Sequence, residues 1–208
     1  MGKVEINKQN KRSSLLQTSY DLFLNQGFAK TTIADIAKKA GLAKGTFYLY
    51  FKDKYDLRDE LVARKSAQLL LEAQEAMKLR PEPLTNFEDY LLALTDYILN
   101  YLQRNKLLLK FISKNLSWGI FKHALEKAEE SGAPESEQFT VFYKDYLDAL
   151  QRNGIRCAEP ELLLFTIIEL ISSTGYSCIL YESPTDLAHY LPYLHRSIHQ
   201  VLEGFKEG

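Results

Sequence analysis

The run from Thr31 to Lys54, TTIADIAKKAGLAKGTFYLYFKDK, constrains this chain more than any other stretch. Thr31 or Thr32 can cap a helix, and Ile33, Ile36, Ala37 and Ala40 then recur at helical spacing to give one apolar face over about two turns. Gly41 falls where a C′ residue turns left-handed, and Leu42 and Ala43 bridge to a second short helix expected over Lys44 to Tyr50. Ala37 at the crossing, Gly41 in the turn and Phe47 facing back have sizes that suit tight, near-perpendicular packing, so the run reads as helix-turn-helix. The outward face of the second helix carries Lys44, Thr46, Tyr48 and Tyr50, with Gly45 adding no bulk. Those donors suit phosphates and base edges. The alternative is that the tyrosines pack the helix against Phe51 and Leu57. Phe47, Leu49 and Phe51 read as the better packing residues.

Upstream, Leu15, Leu16, Ser19, Leu22 and Phe23 form a stripe within a helix expected from Asn7 to Gln26 and ended by Gly27, with Phe28 closing the unit from below. Lys8, Lys11 and Arg12 at its start can approach phosphates or form a solvated charge run; both readings stay open. Net charge is −1, but residues 1–58 hold 11 Lys/Arg against 5 Asp/Glu, a balance of +6, while residues 59–208 carry −7. The basic end is therefore the nucleic-acid candidate.

The Ala-x-x-x-Gly spacing followed by KGTFYLYFKDKYDL resembles the DNA-binding region of the TetR/AcrR family of transcriptional regulators, over roughly residues 8–60. The rest of the chain is similar to that family in length and helical layout. The resemblance implies an N-terminal three-helix DNA-binding domain over 1–52 and an effector-binding and dimerisation domain over 53–208, with 53–79 as a connector helix. It implies base or sugar-phosphate contacts from Lys44, Gly45, Thr46 and Tyr48, and phosphate contacts from Thr32, Tyr50 and Lys54. It further implies a homodimer on double-stranded DNA, released by a small effector, and a repressor; the residues themselves leave an activator open.

No segment alternates with period two, so the chain is expected to be all-α. Asp53 can cap a helix to Leu79 with Leu57, Leu61, Ala67, Leu70 and Leu71 inside, stopped by Arg80-Pro81-Glu82-Pro83. Further helices are expected over 86–103, 106–116, 120–130, 135–153 and 160–181, and a last one from Ser183-Pro184 with a kink at Pro192. The family layout puts a ligand cavity among the middle helices, where Tyr97, Tyr101, Phe111, Asn115, Trp118, Phe121 and His123 lie; an aromatic stripe can equally be ordinary core. A cavity so lined takes a largely apolar ligand with one or two polar anchors. For the dimer interface, Phe139, Phe142, Tyr143 and Tyr146 and the small residues Ser172, Ser173 and Gly175 are the candidates, with an intrasubunit core as the alternative.

Other classes find little support. Cys157 and Cys178 form no CxxC pattern, and the polar N-terminal stretch has no signal-peptide core, so the chain reads as cytoplasmic. Leu162 to Tyr181 contains one charge, Glu169, but its flanks are acidic and Glu169 at a bilayer centre would cost about 2.5–3.5 kcal/mol. The reading is a helix buried within or between subunits, with no membrane partner. His195 and His199 stand at i and i+4, yet no Glu lies between them and no Cys lies nearby, so they read as a solvated surface pair and no metal is expected. No nucleotide-binding or catalytic signature appears, which implies no cofactor and no enzyme. The leading expectation is a ligand-responsive DNA-binding regulator. The alternatives are an all-helical small-molecule carrier or enzyme with a basic N-terminal packing module, and a nonspecific DNA-coating protein.

Overall fold

The computed structural model describes residues 3–82, 84–112 and 134–207. Among them are nine helices and no strand: α1 Lys3–Gln26, α2 Ile33–Lys39, α3 Lys44–Phe47, α4 Lys54–Lys78, α5 Phe87–Arg104, α6 Lys106–Ile112, α7 Pro134–Arg152, α8 Pro160–Tyr181 and α9 Leu187–Phe205. The helix expected over 120–130 lies outside the described residues, as does the end of the one expected over 106–116. The chain divides into two compact units, Met1–Val62 and Ala63–Gly208. The division falls within α4 rather than at residue 52.

In the first unit the caps do what the residue types dictate. Thr32 and Asp35 form a capping box at the start of α2, the Thr32 Oγ1 taking the Asp35 N–H at 3.1 Å and the Asp35 carboxylate taking the Thr32 N–H at 3.0 Å. Thr31 is instead buried, donating to the Gly27 carbonyl. Gly41 has φ +69° beyond the C-cap Ala40, and the Leu42 and Gly41 N–H groups reach back to the Ala37 and Lys38 carbonyls at 2.9 and 3.1 Å. That double closure is a Schellman turn, and it needs a residue without a Cβ penalty in the left-handed region. Leu15, Ile36, Ala37, Phe47, Phe51 and Leu57 are buried beneath it. Asp53 caps α4 by accepting from the Tyr55 and Asp56 N–H groups. Phe28 packs edge-on between Phe23 and Tyr55 at centroid distances of 5.1 and 5.2 Å.

Three expectations fail. The second helix is regular only to Phe47; residues 48–50 continue as turns closed by i→i+3 bonds from Leu49 to Thr46 and from Tyr50 to Phe47. That tighter winding shifts the helical phase, so Leu49 does not pack but stands 76% exposed. Leu71, expected inside, is also exposed.

In the second unit Asn86 caps α5, Asp186 caps α9, and the Asn153 side chain accepts the Phe87 N–H, tying the start of α5 to the end of α7. The last helix thus begins at Leu187 rather than at Ser183-Pro184, and it continues through Pro192. α8 is long and apolar enough to cross a membrane by length and composition alone. In the fold it packs against α5, α6 and α9, burying Leu163, Leu164, Ile167, Cys178 and Ile179. His195 is half-buried and His199 exposed, and each bonds to a carboxylate of α5, His195 to Asp96 at 2.6 Å and His199 to Glu88 at 2.9 Å, pinning α9 to α5.

Candidate nucleic-acid interface and effector cavity

The capped α2, its glycine turn and the short α3 present one edge of the first unit to solvent. Lys44 and Gly45 are exposed, Thr46 and Tyr50 half-buried, and Tyr48 is 52% exposed with its ring edge on Phe47. Tyr48 therefore packs in part on Phe47 and leaves the rest of its ring to solvent. A Cβ built on Gly45 would meet nothing within 4 Å, so the chain itself does not require glycine there. Thr32 is exposed at the start of α2, although its side chain is engaged with Asp35.

Lys54 is placed differently from the expectation of a phosphate contact. Its ammonium donates to the Phe28 and Thr31 carbonyls, both at 2.8 Å, and lies 4.3 Å from the Phe28 ring centroid. Its donors close the loop ahead of α2. Arg12 is likewise held, paired with Glu60 and stacked on Phe51, and Arg58 pairs with Asp59 at 2.7 Å. The basic character of the exposed edge comes from Lys44 with Lys38, Lys39 and Lys52, all exposed. Those three lysines were not singled out in the sequence, and Leu49 was read there as a packing residue. The lysines could have been found as the outward positions of α2 and of the turn before α4, whereas no sequence signal marks Leu49.

The second unit holds a cavity of about 160 Å³ between α4, α5, α6, α7 and α8. Its described lining is largely apolar, with Leu69, Leu94, Ile98, Leu102 and Ile168 among its walls and no charged residue. Tyr97, Tyr101 and Phe111 do not line it; Tyr97 and Tyr101 stack on each other at 6.4 Å while their neighbours Ile98 and Leu102 face inward. Asn115, Trp118, Phe121 and His123 lie outside the described residues.

Several residues expected at a dimer interface turn inward instead. Phe139, Phe142, Ser172 and Gly175 line the cavity, and Tyr146 is buried against Phe87 with its hydroxyl donating to the Pro160 carbonyl at 2.9 Å. Burial pushes the Tyr146 phenol well above its ordinary range. Tyr143 stacks half-buried on Tyr146, leaving only Ser173 of that set exposed. Large apolar groups that stay exposed on the last two helices are Leu162, Phe165, Tyr181 and Tyr193. Glu88, His199 and Glu203 bring ligand atoms within 4.8 Å of one another, but on an accessible surface where His199 is already paired with Glu88.

A capped helix-turn-helix in one unit and an apolar cavity in the other define the class of helix-turn-helix regulators of transcription. Residues 15–61 match the family model for bacterial regulatory proteins, tetR family. The transcriptional regulator AcrR of Shigella flexneri is 27% identical over 179 residues, covering 84% of this chain and 78% of that one. A TetR family transcription regulator from Marinobacter aquaeolei VT8 shares the fold with a TM-score of 0.58 at 18% identity, over 98% of this chain and 100% of that one. So does the transcriptional regulator FadR of Bacillus subtilis, solved in complex with stearoyl-CoA, with a TM-score of 0.56 at 19% identity over 89% and 96%. Residues 15–61 are a DNA-binding region of the TetR/AcrR family of transcription regulators, and the chain is similar to members of that family along most of its length.

Proposed function

We propose that the protein is an effector-responsive repressor that reads a two-fold symmetric operator as a homodimer. The observation that carries this reading is the exposed edge of α3, where Lys44, Gly45, Thr46 and Tyr48 lie together above a fully buried Phe47. Lys44 suits a guanine edge or a phosphate, Thr46 a thymine methyl or phosphate, and the Tyr48 and Tyr50 hydroxyls the backbone along the groove wall. Thr32 reaches a neighbouring phosphate. Each subunit places α3 in a major groove, with half-sites about 34–36 Å apart. Leu162 and Phe165 on α8 and Tyr193 on α9 supply apolar surface for an isologous contact.

The effector occupies the apolar cavity, and α4, which starts at Lys54 and carries Leu69 into the cavity wall, transmits its presence. A coupling of about 1–3 kcal/mol changes operator affinity roughly 5- to 150-fold. The FadR neighbour was solved in complex with stearoyl-CoA, whose acyl chain is the kind of group an apolar cavity takes. A DNA-bound regulator works in the cytoplasm.

The test is selection of random duplex DNA on the purified protein at near-physiological salt. A two-fold symmetric motif is expected. Retention without any motif would favour nonspecific coating, and no retention would favour a carrier.

A further inference from the structure

Three metal-ligating side chains meet where α9 packs on α5: Glu88 of α5 with His199 and Glu203 of α9, one ligand atom of each lying within 4.8 Å of the others. His199 and Glu203 stand at i and i+4, so α9 places them on one face a single turn apart. Glu88 comes from the first turn of the neighbouring helix, and its Oε1 is 2.9 Å from the His199 Nδ1. Two atoms held by one ion at bond lengths of about 2.0–2.2 Å stand roughly 3–3.5 Å apart, so this pair already has nearly the spacing of neighbouring ligands. His195, the other member of the histidine pair, is turned to Asp96 instead and takes no part in the cluster. That second bond between the same two helices fixes their register, and the chelating pair on α9 is His199 with Glu203.

We propose that Glu88, His199 and Glu203 form a binding site for a divalent transition-metal ion of the zinc class, which staples α9 to α5. An imidazole among the donors favours such an ion over magnesium or calcium, which prefer oxygen alone. Two carboxylates offset the two positive charges of the ion, and three protein ligands leave the fourth position to water. The ion replaces the proton that His199 and Glu88 share: His199 keeps its proton on Nε2 and offers the Nδ1 lone pair. Glu203 also pairs with Lys206, but a solvent-accessible ion pair of that kind is worth little and gives way to a divalent ion. Since α5 carries Leu91, Leu94 and Ile98 of the cavity wall, a bound ion also fixes one of the helices that border the cavity.

The site needs neither operator nor effector, and its test uses the untagged full-length protein freed of metal by chelator. Calorimetric titration with zinc chloride is expected to give one saturable site per chain, and magnesium chloride no binding at equal concentration. Zinc should also raise the melting temperature, because an ion held only by the folded protein stabilises it. His199→Ala, Glu203→Gln and Glu88→Gln should each weaken zinc by more than the roughly tenfold that losing a partner outside the ligand set costs, and remove the thermal shift at the same zinc concentration. His199 and Glu203 are exposed, Glu88 is half-buried, and Gln keeps the shape of Glu, so the metal-free variants should melt close to wild type. Cys157→Ser is the control: this thiol lies between α7 and α8, outside the cluster, and its loss should leave zinc affinity and thermal shift unchanged. Zinc binding as tight in His199→Ala and Glu203→Gln as in wild type would overturn the proposal. So would loss of the site in Cys157→Ser, magnesium binding of equal strength, or no zinc binding at all.

Discussion

Leu99 of α5 fills the space that a side chain at Gly175 of α8 would need: a Cβ built on Gly175 would stand 2.5 Å from the Leu99 Cδ2. Both residues border the cavity. Replacing Gly175 with Ala gains about 1 kcal/mol of helix propensity, but forcing Leu99 aside costs about 1–3 kcal/mol in a packed wall. The side-chain end yields more readily than backbone, and the space beside it is the cavity. Gly175→Ala is therefore expected to change stability by less than about 2 kcal/mol while losing most affinity for toluene. Leu99→Ala added to it should restore binding, and thermal unfolding with calorimetric titration of the four proteins measures that coupling.

Lys44 and Lys54 make opposite predictions although both are basic residues of the first unit. Lys44 is exposed, and removing a phosphate contact lowers the salt slope of DNA binding by about one. Lys54→Met keeps the stem against Phe28 but removes the donors to the Phe28 and Thr31 carbonyls. Its expected effect is a loss of about 1 kcal/mol of stability, with the salt slope unchanged. Affinity measured against salt for both variants separates them; a reduced slope in Lys54→Met would return that residue to the phosphate contacts.

The reader was legible in the sequence because its signals are local. Thr32 and Gly41 act within one turn of the groups they satisfy, and Phe47 needs only its own helix phase to be placed inside. Lys54 was not legible, since its carbonyl partners lie 23 and 26 residues away. A cavity among the middle helices was expected only from the family layout, and its residues were not legible. Tyr97 and Ile98 are neighbours on one helix, and which of them faces the cavity depends on how α5 packs against α8 and α9. The same applies to Gly175, whose smallness serves Leu99 within the chain rather than a partner subunit.

Gly45 separates fold from recognition. It lies in α3 with open space where a Cβ would go, so Ala there is expected to stabilise the helix by up to about 1 kcal/mol. If α3 lies close against DNA, the same methyl reduces operator affinity at least tenfold. Unchanged affinity in Gly45→Ala, measured by titration of the selected duplex, would mean that this part of α3 does not approach the groove closely.

The Thr32 hydroxyl, the first cause, and the Thr32 N–H both donate to the Asp35 carboxylate and hold its pKa below the ordinary 3.8. A depressed folded-state pKa adds stability that is fully present above the unfolded value and lost as pH falls through the folded one. Protection of the α2 amides, taken relative to the intrinsic exchange rate at each pH, should therefore fall only below about pH 4. Thr32→Ala should already exchange faster at neutral pH, losing about 1 kcal/mol with the cap, and its α2 should respond less to acid. An acid response as steep as wild type in Thr32→Ala would show that another group sets it.

Leu49 is where recognition can be told from packing most directly. Exposed leucines are ordinary on protein surfaces, but this one is 76% exposed immediately after Tyr48 on the edge that carries Lys44. Its isobutyl group suits contact with a thymine methyl in the major groove. Leu49→Ser should leave the melting temperature of the protein unchanged, within about 0.5 kcal/mol, because little packing is lost. Repeating the duplex selection with Leu49→Ser should then relax the preference at one position, mirrored in both half-sites, while the rest of the motif stays. An unchanged motif would show that the side chain reads no base. A fall of more than about 1 kcal/mol in stability would show that it packs after all, as its hydrophobicity alone suggests.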